Sequence, residues 1–130
     1  MYSTLKIYLN IFNNLCYYMY SMKKSPLIKL KAPITVNSNV ITGVIIGQHY
    51  KVNHAESIND EIVLQLILAL DEKTFSADST SKGIEYYVSD VQLQNEERKN
   101  KYYRLIWLFE GNHLEIIGVI NAFRIKKAKK

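Results

Sequence analysis

Two histidines and a lysine lie close together near the middle of the chain, at His49, Lys51 and His54. An imidazole has an unperturbed pKa of about 6.5, so it can both accept and donate a proton near neutral pH. Cleavage of RNA without a metal needs one group to take the proton of the 2′-hydroxyl, another to protonate the leaving 5′-oxygen, and fixed positive charge beside the phosphate. His54, with Lys51 beside it and His49 as a second proton-transfer group, has the residue types for this chemistry.

Two arginines occur inside segments that are otherwise built of Leu, Ile, Trp and Phe, at Arg104 and Arg124. A guanidinium is costly to bury, and its planar fork matches the oxygens of a phosphate. Either each arginine lies on an exposed face of a sheet, or both project into one cleft with His54. Asn121, a polar residue in the middle of "IIGVINAFR", raises the same question.

Two further groups are candidates for substrate binding. Tyr86 and Tyr87 could stack on a base or orient a phosphate, although a tyrosine in a strand more often packs in the core or on the surface. Lys126 and Lys127 belong to the tail "RIKKAKK", which holds five cations in seven residues and contributes to a net charge of +5. Such a tail attracts polyanions, and a solvated tail that aids solubility is the alternative.

The sequence disfavours other kinds of site. His49 and His54 match no standard metal-ligand spacing, and the single Cys16 excludes an internal disulfide and a cysteine-only zinc site. Gly43 and Gly47 lack the residues of a phosphate-binding loop. Ser57 is interpreted as a helix cap rather than a nucleophile. We therefore expect neither a metal nor a cofactor.

The elements that would position these residues are mostly strands, with little helix. Strands are predicted at 27–36, an edge strand or extended arm that contains Pro33, and at 40–50, 84–90, 102–110 and 114–125. The last two are predicted to form a hairpin, and 75–83 and 91–101 to be polar connections. A nearly apolar helix, "SINDEIVLQLILALDEK" at 57–73, should begin at Ser57 and be buried on most sides. The fold class predicted is α+β, with a small curved antiparallel sheet packed against a buried helix.

The chain is predicted to form one domain at 26–130, preceded by a helix or extension at 1–25. Apolar residues in the extension recur at steps of three and four, which favours one helical stripe that docks on the domain and covers the buried helix. A helix lying on a membrane surface is the alternative, and the segment is too polar to span a bilayer. The stripe consists of Leu5, Leu9, Phe12, Cys16 and Met19.

The succession of a strand, a histidine before a capped helix, and "YRLIWLFE" followed by "IIGVINAFR" resembles the barnase–EndoU–colicin–RelE group of small ribonucleases. It looks most like the versions found in phage-associated and polymorphic toxins. The resemblance covers roughly residues 40–125. It implies a short helical part, a curved antiparallel sheet, and a metal-independent active site on a sheet face.

The local stretch "KVNHA" at 51–55 is similar to that of tRNases of the colicin D type, which implies a catalytic role for His54 and phosphate binding by Lys51. Asn53 replaces the second lysine of that pattern, which puts a tRNA anticodon substrate in doubt. The last two predicted strands are similar to those of RelE-type toxins, which implies that Arg124 contacts the scissile phosphate. Arg104 is a weaker match, and with Asn121 it would support the site.

These features predict a metal-independent endoribonuclease of toxin type, cytoplasmic in its own cell or delivered into a target cell. An acidic antitoxin or immunity protein would be its partner, and no stable membrane insertion is expected. The alternative is a nucleic-acid- or protein-binding module of the same fold without catalysis. A third possibility is a partner protein whose N-terminal helix docks on another chain.

Overall fold

The computed structural model describes residues 25–47, 58–81, 83–94, 97–110 and 113–126. The protein is α+β and mostly sheet, with six strands in one curled, half-barrel sheet and one helix among the described residues. The elements in chain order are β1 (Leu27–Val36), β2 (Asn39–Ile46), α1 (Asp60–Leu68), β3 (Ser79–Ser81), β4 (Ile84–Gln94), β5 (Asn100–Glu110) and β6 (His113–Ile125).

The strands lie in the order β1-β2-β6-β5-β4-β3. Neighbouring strands are antiparallel except for β2 and β6, which run parallel with Val44 opposite Ile117. The expectation of a wholly antiparallel sheet is therefore wrong at this pair. The long connection that contains α1 carries the chain away from β2, so that β6 can return beside it in the same direction.

The strand predictions are confirmed in their main features and corrected at the ends. β1 is an edge strand, as predicted. Between the pairs Lys29–Gly43 and Ile34–Ile41, β1 contains more residues than β2, and Pro33 lies in this irregular stretch. A proline is tolerated there because it needs no ladder hydrogen bond. The hairpin of β5 and β6 is also confirmed. Both predicted polar connections contain strand: β3 lies in the first, and β4 and β5 extend into the second.

The helix is shorter and more exposed than predicted. It is capped by Asn59, whose Oδ1 accepts a hydrogen bond of 2.9 Å from the backbone N–H of Ile62, whereas Ser57 lies outside the described residues. Asp60 and Glu61 follow in the first turn, where carboxylates interact favourably with the helix dipole. The expectation of burial on most sides is wrong, because the fully buried residues are Val63, Leu66 and Ile67.

The main hydrophobic core combines those three helix residues with residues of β1, β2, β4, β5 and β6. Trp107 of β5 is fully buried in it, and its indole N–H donates a 3.0 Å hydrogen bond to the hydroxyl of Ser89. Tyr87 stacks on the Trp107 ring with centroids 4.4 Å apart, while Phe75 and Phe109 meet it edge-on. This aromatic group fills the core where β4 and β5 are paired.

A second, smaller cluster lies on the opposite face of the sheet, because its members alternate along the strands with residues of the main core. We call it the far-face cluster. It consists of Tyr86, Ile106, Leu108 and Ile120, each no more than 4% exposed. Ile120 is the extra residue of a bulge, since Ile106 pairs with Asn121 and the next residue, Trp107, pairs with Val119.

A two-residue turn joins β1 to β2 and also holds the segment that follows the helix. Asn37 and Ser38 have φ values of 51° and 63°, as a type I′ turn requires. The side chain of Asn37 accepts a 2.6 Å hydrogen bond from the N–H of Phe75 and donates one of 3.0 Å to its carbonyl. The Asp71 carboxylate accepts a further bond from the N–H of Thr35. The turn therefore fixes residues 71–75 beside the first hairpin.

Residues 1–24, which make up nearly all of the predicted N-terminal helix or extension, lie outside the described residues. Within the part of the chain that the structure describes, no helix is both long and apolar enough to cross a membrane.

Replacing Asn37 by glycine should lower the free energy of unfolding by about 2 kcal/mol, because glycine tolerates the turn but cannot make the two hydrogen bonds to Phe75. The matched control is Ser38→Gly, which changes the other left-handed position and should leave stability unchanged or slightly raised. Urea unfolding of both variants measures the difference. Equal stabilities would show that the Asn37 side chain does not hold this segment.

Candidate nucleic-acid interface

The residues on which the proton-transfer chemistry depends, His49, Lys51 and His54, lie outside the described residues, as does Lys127. The structure places the remaining candidates: Arg104, Arg124, Asn121, Tyr86, Tyr87 and Lys126.

Arg104 is held by a carboxylate on the neighbouring strand. It lies directly opposite Asp90, and its Nε and Nη2 donate hydrogen bonds of 2.7 and 3.0 Å to the two carboxylate oxygens. Both side chains are largely buried, with 25% and 15% of their surfaces exposed. The hydrogen bond to Asp90 raises the pKa of Arg104, burial opposes this, and the charges of Asp90 and Asp78 add to the rise. The two-pronged pairing satisfies the guanidinium within the sheet.

The register places the two arginines on different sides of the sheet. Arg104 pairs with Phe123, and the next residue on each strand forms the pair of Tyr103 with Arg124. Because paired residues share a face and consecutive residues alternate, Arg104 and Arg124 start from opposite faces. This register therefore does not support the alternative in which both arginines line one cleft.

Asn121 has a local structural role beside the bulge in β6. It is 4% exposed, and its Oδ1 accepts a 2.9 Å hydrogen bond from the N–H of Ala122. The bulge interrupts the ladder of β5 and β6, and a side-chain oxygen can satisfy a backbone donor at such a point. This contact explains a polar residue in the middle of an apolar strand.

The two tyrosines point to opposite faces, and both are buried. Tyr86 belongs to the far-face cluster, and Tyr87 stacks on Trp107. Burial raises the pKa of Tyr87, and the charge and hydrogen bond of Glu85, whose carboxylate lies 3.5 Å from the hydroxyl, raise it further. Neither ring has the exposed surface that stacking on a base requires.

Exposed positive charge gathers at the end of the sheet where β6 leaves it. Arg124 and Lys126 are exposed, and Lys101 is half-buried at the start of β5. Tyr102 pairs with Ile125, so the next residues outward, Lys101 on β5 and Lys126 after β6, lie side by side at the end of the sheet. We call Lys101, Arg124 and Lys126 the basic sheet end. Among the described residues, none of the three has a carboxylate within ion-pair distance.

Lys101 was missed in the sequence, although a signal for it exists. A hairpin places the start of its first strand beside the end of its second. Once "YYRLIWLFE" and "LEIIGVINAFRI" are predicted to be paired, the lysine before the first must therefore lie near the cations after the second.

Within the described ranges, no group of three or more His, Cys, Asp or Glu residues is placed to hold a metal ion.

The pair of Asp90 and Arg104 should stabilise the fold as a unit. A double-mutant cycle with Asp90→Ala and Arg104→Ala should give a coupling of about 1 kcal/mol, because each single change leaves a largely buried charge without its partner. A cycle on Glu97 and Lys99, an exposed pair at 3.6 Å, is the control and should give no measurable coupling. Equal coupling in the two cycles would contradict this prediction, because the buried pair would then stabilise the fold no more than the exposed pair does.

Comparison with known proteins gave no match: no family model, no curated protein and no solved structure is significantly similar to the chain.

Proposed function

We propose that the protein binds RNA and holds its phosphate backbone at the basic sheet end. The observation that carries this proposal is the exposure of Arg124 and Lys126 where β6 ends, with no carboxylate partner among the described residues. The sequence continues from there as "KAKK", so the positive charge extends beyond the sheet. Lysine and arginine side chains clustered in this way replace condensed counterions on a phosphate backbone.

Single-stranded RNA is the substrate class that best suits these residues. Tyr102 is half-buried in the row that ends at Ile125, on the face of the sheet opposite to that of Lys101, Arg124 and Lys126. A flexible single strand can bend around the end of the sheet, so that an unpaired base reaches this ring while the cations hold the adjacent phosphates. A duplex keeps its bases stacked on each other and gains only the phosphate contacts.

The more specific proposal is a metal-independent endoribonuclease of toxin type. It is favoured by the similarity of "KVNHA" at 51–55 to a catalytic stretch of such enzymes. His54 acts as general base or acid, with His49 as the second proton-transfer group, and Lys51 and Arg124 hold the scissile phosphate. An acidic antitoxin would neutralise the enzyme by covering the basic sheet end. If catalysis is absent, the same surface serves an RNA-binding module.

Removing two cations from the basic sheet end should weaken RNA binding. For the variant Arg124→Ala with Lys126→Ala, the slope of log affinity against log salt should decrease by about 1.4, since each phosphate contact on a single strand contributes about 0.7. The control, Lys29→Ala with Lys31→Ala, removes the same charge from exposed positions on β1 and should keep the slope. Fluorescence anisotropy with a labelled single-stranded RNA measures both variants. An equal loss in both would show that net charge, not this surface, drives binding.

Cleavage is tested separately from binding. The wild-type protein should cut total RNA in the presence of EDTA, and His54→Ala should lose the products while keeping the salt slope of binding. Gel electrophoresis of the RNA, with anisotropy on the same samples, gives both results. Products that require a divalent ion, or that persist in His54→Ala, would contradict the mechanism. Binding without products in the wild type would support the binding module.

A further inference from the structure

The far-face cluster is buried more deeply than the described elements explain. Ile120 is fully buried, and Tyr86, Ile106 and Leu108 are at most 4% exposed. Every described member of this cluster, and every described residue packed against it, belongs to β4, β5 or β6. Neighbours on one face of a single sheet layer shield the sides of a side chain but leave its outer end in water. The described strands therefore do not account for the burial of these outer ends.

The sequence outside the described residues offers one segment of suitable length and composition. Residues 1–24 contain the stripe of Leu5, Leu9 and Phe12, continued by Cys16 and Met19. The other long stretch, 48–57, reads "QHYKVNHAES" and is mostly polar. The remaining stretches are at most four residues long. A stripe with helical spacing provides the continuous apolar surface that the cluster needs.

The chain also enters the sheet beside this face. Leu27 pairs with Ile45, whose neighbours Val44 and Ile46 belong to the main core, so Leu27 and Ile45 face the other side. The Leu27 side chain lies over Gly43, where an added Cβ would come within 2.8 Å of Leu27 Cδ1. The first residue of β1 thus lies on the far face of the sheet.

The distance from this entry point to the cluster is short. The row that begins at Leu27 continues through Ile45 and Gly118 to Leu108. Three strand spacings amount to about 14 Å. A helix of 24 residues would extend about 36 Å, which is enough to cross β6, β5 and β4.

We propose that residues 1–24 dock on the far-face cluster, with the stripe against Tyr86, Ile106, Leu108 and Ile120. The sheet then lies between this segment and α1, and the far face is closed by the chain itself. This placement differs from the expectation that the same segment covers α1. It does not depend on the proposed RNA binding, which uses the end of the sheet.

The native thiol of Cys16, the single cysteine in the chain, provides the test. A second cysteine is introduced in the full-length protein at Val88, which packs at the margin of the far-face cluster, or at Leu68, which is 47% exposed on α1. Copper-catalysed oxidation should form a disulfide between Cys16 and the new thiol within one chain at least about tenfold faster in Val88→Cys than in Leu68→Cys, because proximity raises the effective concentration. Mass spectrometry of the digested product identifies the link.

Equal rates, or a faster link in Leu68→Cys, would overturn the proposal. Links formed only between two chains would also overturn it, because they would assign the far face to a second copy.

A second pair of full-length variants guards against misfolding of the cysteine variants. Leu9→Asp with Phe12→Asp disrupts the stripe, and Asn10→Asp with Asn13→Asp adds the same charge off the stripe. The stripe variant should lower Tm by at least about 5 °C and bind a hydrophobic dye, and the control should change Tm by less than about 2 °C. A stripe variant as stable as its control would overturn the proposal.

Discussion

The hydrogen bonds between the side chain of Asn37 and the backbone of Phe75 join two parts of the chain that are 38 residues apart. A left-handed turn is needed to reverse β1 into β2, and asparagine is among the few residues that both tolerate this conformation and carry an amide. The amide extends a short parallel bridge between Val36 and Lys73, in which the backbone N–H of Asn37 donates to the carbonyl of Lys73. Phe75 is thereby held where its ring meets Trp107 edge-on at 5.6 Å, so the packing of the central aromatic group depends on the turn.

Features set by local sequence could be predicted, and features set by distant pairing could not. Glycine and asparagine between two apolar runs predict the hairpin of β5 and β6, and Pro33 predicts an edge strand. The parallel pair of β2 and β6 joins residues about 70 positions apart, and an apolar strand carries no mark of its neighbour's direction. The burial of the helix was overestimated for a different reason. Leu64 and Leu68 are apolar without being fully buried, so the apolar composition indicated more burial than the structure has.

The candidate site shows the same division. That Arg104 and Asn121 interrupt apolar strands was visible in the sequence, but their contacts were not. The partner of Arg104 is Asp90, 14 residues away across a register that composition does not specify. The partner of Asn121 is the next residue in the chain, and it becomes relevant only because a bulge interrupts the ladder there. A polar residue in a strand thus indicates that some constraint exists without showing whether it is structural or functional.

The distribution of apolar side chains confines where a ligand can bind. In β4 and β5, consecutive residues are buried on opposite faces, as Tyr86 and Tyr87 or Ile106 and Trp107 show. The described centre of the sheet therefore has no solvent-exposed face, whereas an active site on a sheet face was expected from the sequence. Binding on this sheet must use its edges and ends. The edge strand β1 carries Lys29 and Lys31, but its peptide groups favour pairing with another strand, whereas the basic sheet end combines exposed cations with a continuing basic tail. A polyanion would therefore bind at the end of the sheet, and the basic tail would extend the contact along the bound polyanion.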